Sequence, residues 1–137
     1  MINLKLSILF FSCLLISGLA FAEPIGIDPD KLQEMADHGA LIVDIRTEKE
    51  WQTTGIIPSS QKLMFYDEDG EYNADQWLAQ LQKLKNSPDQ PVIVVCHSGG
   101  RSSSVGKYLS NKIGMPNVYH LENGISGWIK QGKTTDK

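Results

Sequence analysis

Four consecutive apolar residues, Val92-Ile93-Val94-Val95, stop abruptly at Cys96-His97-Ser98-Gly99-Gly100-Arg101, and Ser102-Ser103-Ser104 then opens a helical pattern. No other passage of the chain constrains its architecture as strongly. It reads as a buried strand, a tight glycine-bearing loop and a helix N-terminus, in that order. A thiol at the start of such a loop lies where backbone N–H groups and the positive end of a helix dipole converge, and that setting favours negative charge on sulfur. The passage therefore points to a cysteine nucleophile.

The surrounding segments repeat the alternation of apolar run and helical pattern that goes with parallel strands joined by crossover helices. Ile25-Gly26-Ile27 is a short strand, and Asp28-Pro29 supplies an N-cap and first helical residue for a helix to about Asp37. Leu41 to Ile45 is a buried strand, and Thr47-Glu48-Lys49-Glu50 has the capping-box spacing for a short helix carrying Trp51. Ser60 to Met64 is a weak strand. Asn73 caps a helix whose apolar face is Trp77, Leu78, Leu81 and Leu84, and Val105, Tyr108, Leu109 and Ile113 mark another, stopped by Gly114. Val118 to Leu121 is the last strand and Ile125 to Ile129 the last helix. The expectation is an α/β domain of three layers, with a parallel sheet of about five strands flanked by helices. Open parallel sheets bind ligands beyond the carboxyl ends of their strands, where Cys96 falls.

Residues 1–22 follow different rules: one charge at Lys5, an apolar stretch from Leu6 to Leu19, and Ala20-Phe21-Ala22 ahead of Glu23. This is the pattern of a secretory signal peptide, with export across an inner membrane to the periplasm as the expected destination. Its apolar stretch is short for a membrane span, so no membrane attachment is expected after cleavage. Removal leaves 115 residues, one domain's worth, and takes the formal charge from −3 to −4. A mildly acidic domain without a basic cluster offers no footprint for nucleic acid. Cleavage also removes Cys13, so Cys96 becomes the only thiol. The domain is expected to span 23–131, followed by a flexible tail at 132–137.

The loop itself restricts the chemistry. Gly99 and Gly100 allow the backbone to curl so that amide hydrogens face inward as an anion-binding nest, and Arg101 brings a fixed fork of donors to the rim. A cysteine phosphatase resembles H-C-x5-R, with a cradle wide enough for a phosphoryl group. Here Val95 precedes Cys96 and only four residues separate Cys96 from Arg101, which suits a single bound sulfur atom better.

C-x4-R on a strand-to-helix loop resembles the active-site loop of the rhodanese family in its C-x-S-G-x-R-S form. Val43-Asp44-Ile45-Arg46 with Glu50-Trp51 and Gly55-Ile56-Ile57-Pro58 is similar to that family's D-V-R-x-x-x-E-[WF]-x-x-G-H-I-P signature, and Leu121 to Trp128 is similar to its L-x-G-G-x-x-x-W closing motif. Ile56 replaces the usual His, Ser59-Ser60 replaces Gly-Ala, and Asn123 replaces the first closing glycine. The resemblance implies a rhodanese-like domain that moves a sulfane sulfur from a small anionic donor such as thiosulfate, through a Cys96 persulfide, to cyanide, a thiol or a protein acceptor. It implies substrate-binding roles for His97, Ser98, Gly99, Gly100, Arg101 and Ser102, and neither a metal nor an organic cofactor. The competing classes are a phosphatase or arsenate reductase using the same thiolate, and a non-enzymatic sulfur carrier or redox-sensing module.

Other eye-catching residues have plainer readings. Asp44 ends a core strand, and Arg46 is spaced to pair with Glu50. His38 and His120 lack neighbouring ligands for a metal. Trp51, Trp77 and Trp128 suit core positions, and Asp67, Glu68, Asp69 and Glu71 suit a solvated connection.

Overall fold

The structure, a computed structural model, describes residues 23–137, so the signal segment expected at 1–22 lies outside the described residues. In chain order the elements are β1 (Ile25–Ile27), α1 (Pro29–Asp37), β2 (Leu41–Asp44), α2 (Glu48–Thr54), β3 (Gln61–Lys62), α3 (Ala74–Leu84), β4 (Val92–Val95), α4 (Gly100–Lys107), β5 (Val118–Leu121) and α5 (Gly124–Lys130). All strand pairings are parallel, in the order β1-β5-β4-β2-β3. β4 sits at the centre between β5 and β2, which is why its four residues are apolar without alternation: both faces are covered.

The pleat of β4 sorts its side chains. Val92, Val94 and Cys96 face the layer of α3 and α4, against Trp77, Leu81, Val105 and Leu109. Ile93 and Val95 face the layer of α1 and α5, against Leu32, Ile125 and Trp128. Cys96 is thus the third member of a core row, placed on the side of the helix that its loop feeds. The caps read from sequence are present: Asp28 accepts from the Lys31 amide at 2.7 Å, Asn73 from the Gln76 amide at 3.0 Å, and Thr47 and Glu50 complete a reciprocal capping box.

Three details depart from the sequence reading. The strand expected over Ser60 to Met64 shrinks to Gln61–Lys62, exposed at the sheet edge, because the segment pairs only with β2. The helix after the cysteine loop does not run uniformly to Gly114. It turns π-helical over Tyr108–Ile113, and the wider turn keeps Leu109 buried while bringing Ile113 to the surface. Residues 132–137, expected to be a mobile tail, are tied down. Asp136 and Ile56 exchange two backbone hydrogen bonds of 2.8 Å, the Trp128 indole N–H donates to the Thr134 carbonyl at 2.8 Å, and Thr135 Oγ1 donates to the Thr54 carbonyl. Backbone pairing and an indole that needs an acceptor hold a chain end expected to be flexible from its terminal position.

A residue outside the core carries backbone strain. The Ser60 amide donates to the Ile57 carbonyl at 3.0 Å, closing a turn with Pro58 second and Ser59 third, and Ser59 has φ of 73°. Turns with a left-handed third residue call for glycine there, the residue that the rhodanese signature places at this position. Replacing Ser59 by Gly is expected to raise unfolding stability by about 0.5–1 kcal/mol, the left-handed cost relieved less the added entropy of the unfolded chain. A thermal melt that shows no gain, or a loss, would contradict this account.

Candidate active site

The cysteine loop is shaped by contacts from below. At the end of β4 the carbonyls of Cys96 and His97 accept hydrogen bonds from the Ile125 and Ser126 amides, at 2.9 and 3.0 Å, which are free donors at the start of α5. Gly99 (φ 104°) and Gly124 (φ 57°) make the approach possible. A side chain on the first would run into the Glu122 carbonyl, and one on the second into the His97 carbonyl. Asn123, which stands where the family has its first closing glycine, has φ of −103° and needs no such freedom.

Within this frame Cys96 is 1 % exposed and its sulfur has two polar neighbours. The Gly99 amide donates to Sγ at 3.1 Å, and the thiol donates to Ser102 Oγ at 3.3 Å. Ser102, fully buried, passes its own hydrogen to the Gly99 carbonyl at 3.2 Å. That carbonyl also accepts from the Ser103 amide at 3.0 Å, so it stays satisfied if the Ser102 hydroxyl turns toward sulfur. A sulfur that has lost its proton can therefore gain a second donor without orphaning a buried acceptor.

The remaining loop residues diverge. His97 and Ser98 are exposed. His97 borders a recess of about 290 Å³ with Arg46, Lys49, Glu50, Thr53 and Thr54, whereas Ser98 borders a polar cleft of about 500 Å³ with Asn123, Ser126 and Lys130. Gly100 is exposed at the start of α4. Of the expected site residues, the structure gathers Cys96, Gly99 and Ser102 around the sulfur and sends the others outward.

Arg101 has a partner that the sequence reading missed. Its two terminal nitrogens bind the two carboxylate oxygens of Glu50, each at 2.7 Å, with both side chains about one-third exposed. Arg46, expected to pair with Glu50, instead turns back on Asp44 through Nε and Nη2 at 2.8–3.2 Å, with both side chains fully buried. The reason is donor count. A buried guanidinium needs acceptors for its N–H groups, and beyond Asp44 the Thr54 hydroxyl and Gly55 carbonyl provide two more at 2.8 and 2.9 Å, while the Trp51 indole donates to Asp44 at 3.0 Å. The acidic and basic ends of two recognised motifs, Glu50 and Arg101, were the available signal for the second pair.

Among the described residues there is no group of three His, Cys, Asp or Glu side chains placed to hold a metal ion. Asp67 spends one oxygen on the amides of Asp69 and Glu71, closing its own loop. Burial pushes the His120 imidazole below its usual pKa.

The Arg101 hydrogen bonds, opposed by desolvation and reinforced by charge, lower the Glu50 carboxyl from its ordinary 4.5 to about 2. The Glu50 hydrogen bonds correspondingly raise Arg101, with the Cys96 charge among the lesser contributors. Because the folded pKa is depressed, the pair's contribution to stability is complete above about pH 4.5 and is lost as pH falls toward 2. Wild-type protein and a Glu50→Gln variant should differ in melting temperature near neutrality, by a gap that narrows steadily across that acid range. A gap independent of pH would contradict the assignment.

Comparison with known proteins follows the geometry. Residues 28–131 match the rhodanese-like domain family. The chain is 32% identical over 102 residues to the thiosulfate sulfurtransferase GlpE of Pseudomonas savastanoi, covering 74% of this chain and 84% of that protein. Among solved structures, Rv0390 from M. tuberculosis superposes with a TM-score of 0.66 at 25% identity, covering 82% of this chain and 97% of that one. The thiosulfate sulfurtransferase from Pseudomonas aeruginosa superposes with a TM-score of 0.63 at 27% identity, over 81% of this chain and 20% of that longer one. With the sheet, the strand-to-helix cysteine loop and the match across nearly all of the described residues in agreement, the chain belongs to the rhodanese-like domain family.

Proposed function

We propose that the protein is a sulfurtransferase working through a persulfide on Cys96. The observation that carries this reading is the sulfur's setting: a C-x4-R loop at the end of the central strand, with the Gly99 amide 3.1 Å from Sγ and the Ser102 hydroxyl at 3.3 Å. In the first half-reaction the Cys96 thiolate attacks the outer sulfur of thiosulfate. An S–S bond forms to Cys96, the S–S bond of thiosulfate breaks, and sulfite leaves with the bonding pair. In the second, cyanide or an acceptor thiolate attacks the terminal sulfur and the Cys96 thiolate departs. Both half-reactions begin or end with negative charge on Cys96 Sγ, where a fixed N–H donor and a rotatable hydroxyl offset it without reorganising water.

Support for sulfur over phosphate comes from the loop. Four residues between Cys96 and Arg101 make a short cradle, and the nearest inward donor already touches Sγ. Relatives at 32% identity are also named thiosulfate sulfurtransferases. Cys96 is the only cysteine among residues 23–137, so on this reading the acceptor that discharges the persulfide is a separate molecule.

Intact mass after incubation with thiosulfate tests the proposal. Wild-type protein should gain the mass of one sulfur, reversed by cyanide, and Cys96→Ser should gain none. Absence of the increment with thiosulfate and with persulfide donors, together with hydrolysis of p-nitrophenyl phosphate, would overturn it in favour of phosphoryl chemistry. Ser102→Ala, which removes the rotatable donor, should slow persulfide formation roughly tenfold or more, the scale of one hydrogen bond to a charged atom. Unchanged single-turnover rates would remove Ser102 from the mechanism.

A further inference from the structure

The fork of Arg101 is the evident place for a donor's oxyanion, and Glu50 already fills it. Two nitrogen-to-oxygen contacts of 2.7 Å form the side-by-side pairing that a guanidinium also makes with the oxygens of a sulfonate or sulfate. The nearby alternative cation is committed: Arg46 is fully buried on Asp44. Glu50 also has its own perch, because Oε1 accepts from the Thr47 amide at 3.4 Å and the Thr47 hydroxyl at 3.3 Å at the start of α2. The carboxylate can hold its position on the cap while Arg101 leaves it, and since both members of the pair are about one-third exposed, an incoming anion can reach the fork.

We infer that Glu50 is a specificity-determining residue, a resident carboxylate that competes with anionic donors for Arg101 and so tilts the site toward sulfane sulfur carried on less highly charged molecules than thiosulfate. The inference rests on the sulfur-transfer reading for its substrate class, though its physical core is the charge presented to a reagent at Cys96. At rest the rim offers a closed, neutral pair. A dianion must part that pair before it gains the guanidinium, whereas a weakly charged donor does not.

The test uses alkylation of Cys96, which requires no sulfur chemistry. Iodoacetate and iodoacetamide both transfer carbon to the thiolate with loss of iodide and differ in one negative charge, so the ratio of their rate constants reports how the rim treats anions. Rates are followed on the Cys96 tryptic peptide in four proteins: wild type, Glu50→Gln, Arg101→Gln and the double variant. Gln at position 50 keeps the capping box, so α2 is retained. The iodoacetate-to-iodoacetamide ratio should rise about fivefold or more in Glu50→Gln and fall comparably in Arg101→Gln, the scale of one unit charge acting over several ångströms in partly solvated surroundings. It should return close to wild type in the double variant. In parallel, the KM for thiosulfate should fall in Glu50→Gln.

A ratio unchanged or lowered in Glu50→Gln overturns the inference, and so does a ratio in Arg101→Gln that equals wild type, should the first variant fold poorly. The two readings fail separately. If the alkylation ratios move as stated but no variant takes up sulfur, the gate stands and the sulfur-transfer reading falls. If sulfur is taken up and the ratios do not move, Glu50 has no part in donor selection.

Discussion

The cysteine loop keeps its shape because two amides at the start of α5 hold the carbonyls of Cys96 and His97. Everything chemical about the site follows from that seam. With those carbonyls turned down toward β5 and α5, the chain must curl back over the sulfur, and the curl brings the Gly99 amide to Sγ and starts α4 one residue later. The seam closes only where two backbones can come into contact without side chains between them. Gly99 and Gly124 answer that requirement from opposite sides, and the closing motif of the sequence is therefore part of the active-site loop's foundation.

Two ion pairs of different character flank this loop. Asp44 and Arg46 are sealed from solvent and hydrogen-bonded further to Thr54, Gly55 and Trp51, an arrangement whose value lies in fixing one geometry; removing either partner from such a pair costs about 3–5 kcal/mol. Glu50 and Arg101 lie at the rim, partly wet, where the attraction is modest and reversible. The first pair locks α2 to the end of β2. The second lets α2 meet α4 across the mouth of the site with a contact that a ligand's charge can rearrange.

Much of this was legible in the chain, for reasons that can be named. The unbroken apolar run of β4 signals a central parallel strand because both of its faces need covering, and the glycines after Cys96 signal a curl because few other residues tolerate one. Capping residues Asp28, Thr47 and Asn73 act within three residues of themselves, so local spacing reveals them. The partner of Arg101 lies 51 residues away, and local spacing instead suggested Arg46 for Glu50. The choice goes with burial, since the enclosed guanidinium at Asp44 also reaches the Thr54 hydroxyl and the Gly55 carbonyl. The π-helical turn likewise depends on packing: across it Leu109 is buried and Tyr108 packs on the same core, while Ile113 is exposed.

The segment at 132–137 has a consequence for where this domain begins and ends as a physical object. The family match stops at 131, yet the indole of Trp128 finds its acceptor at Thr134, and the backbone of Ile56, just beyond α2, finds both partners at Asp136. A fragment cut at the family boundary would leave a tryptophan of the α5 layer and the exit of α2 with unanswered polar groups. The family match and the set of residues joined by these hydrogen bonds therefore differ by the terminal segment 132–137.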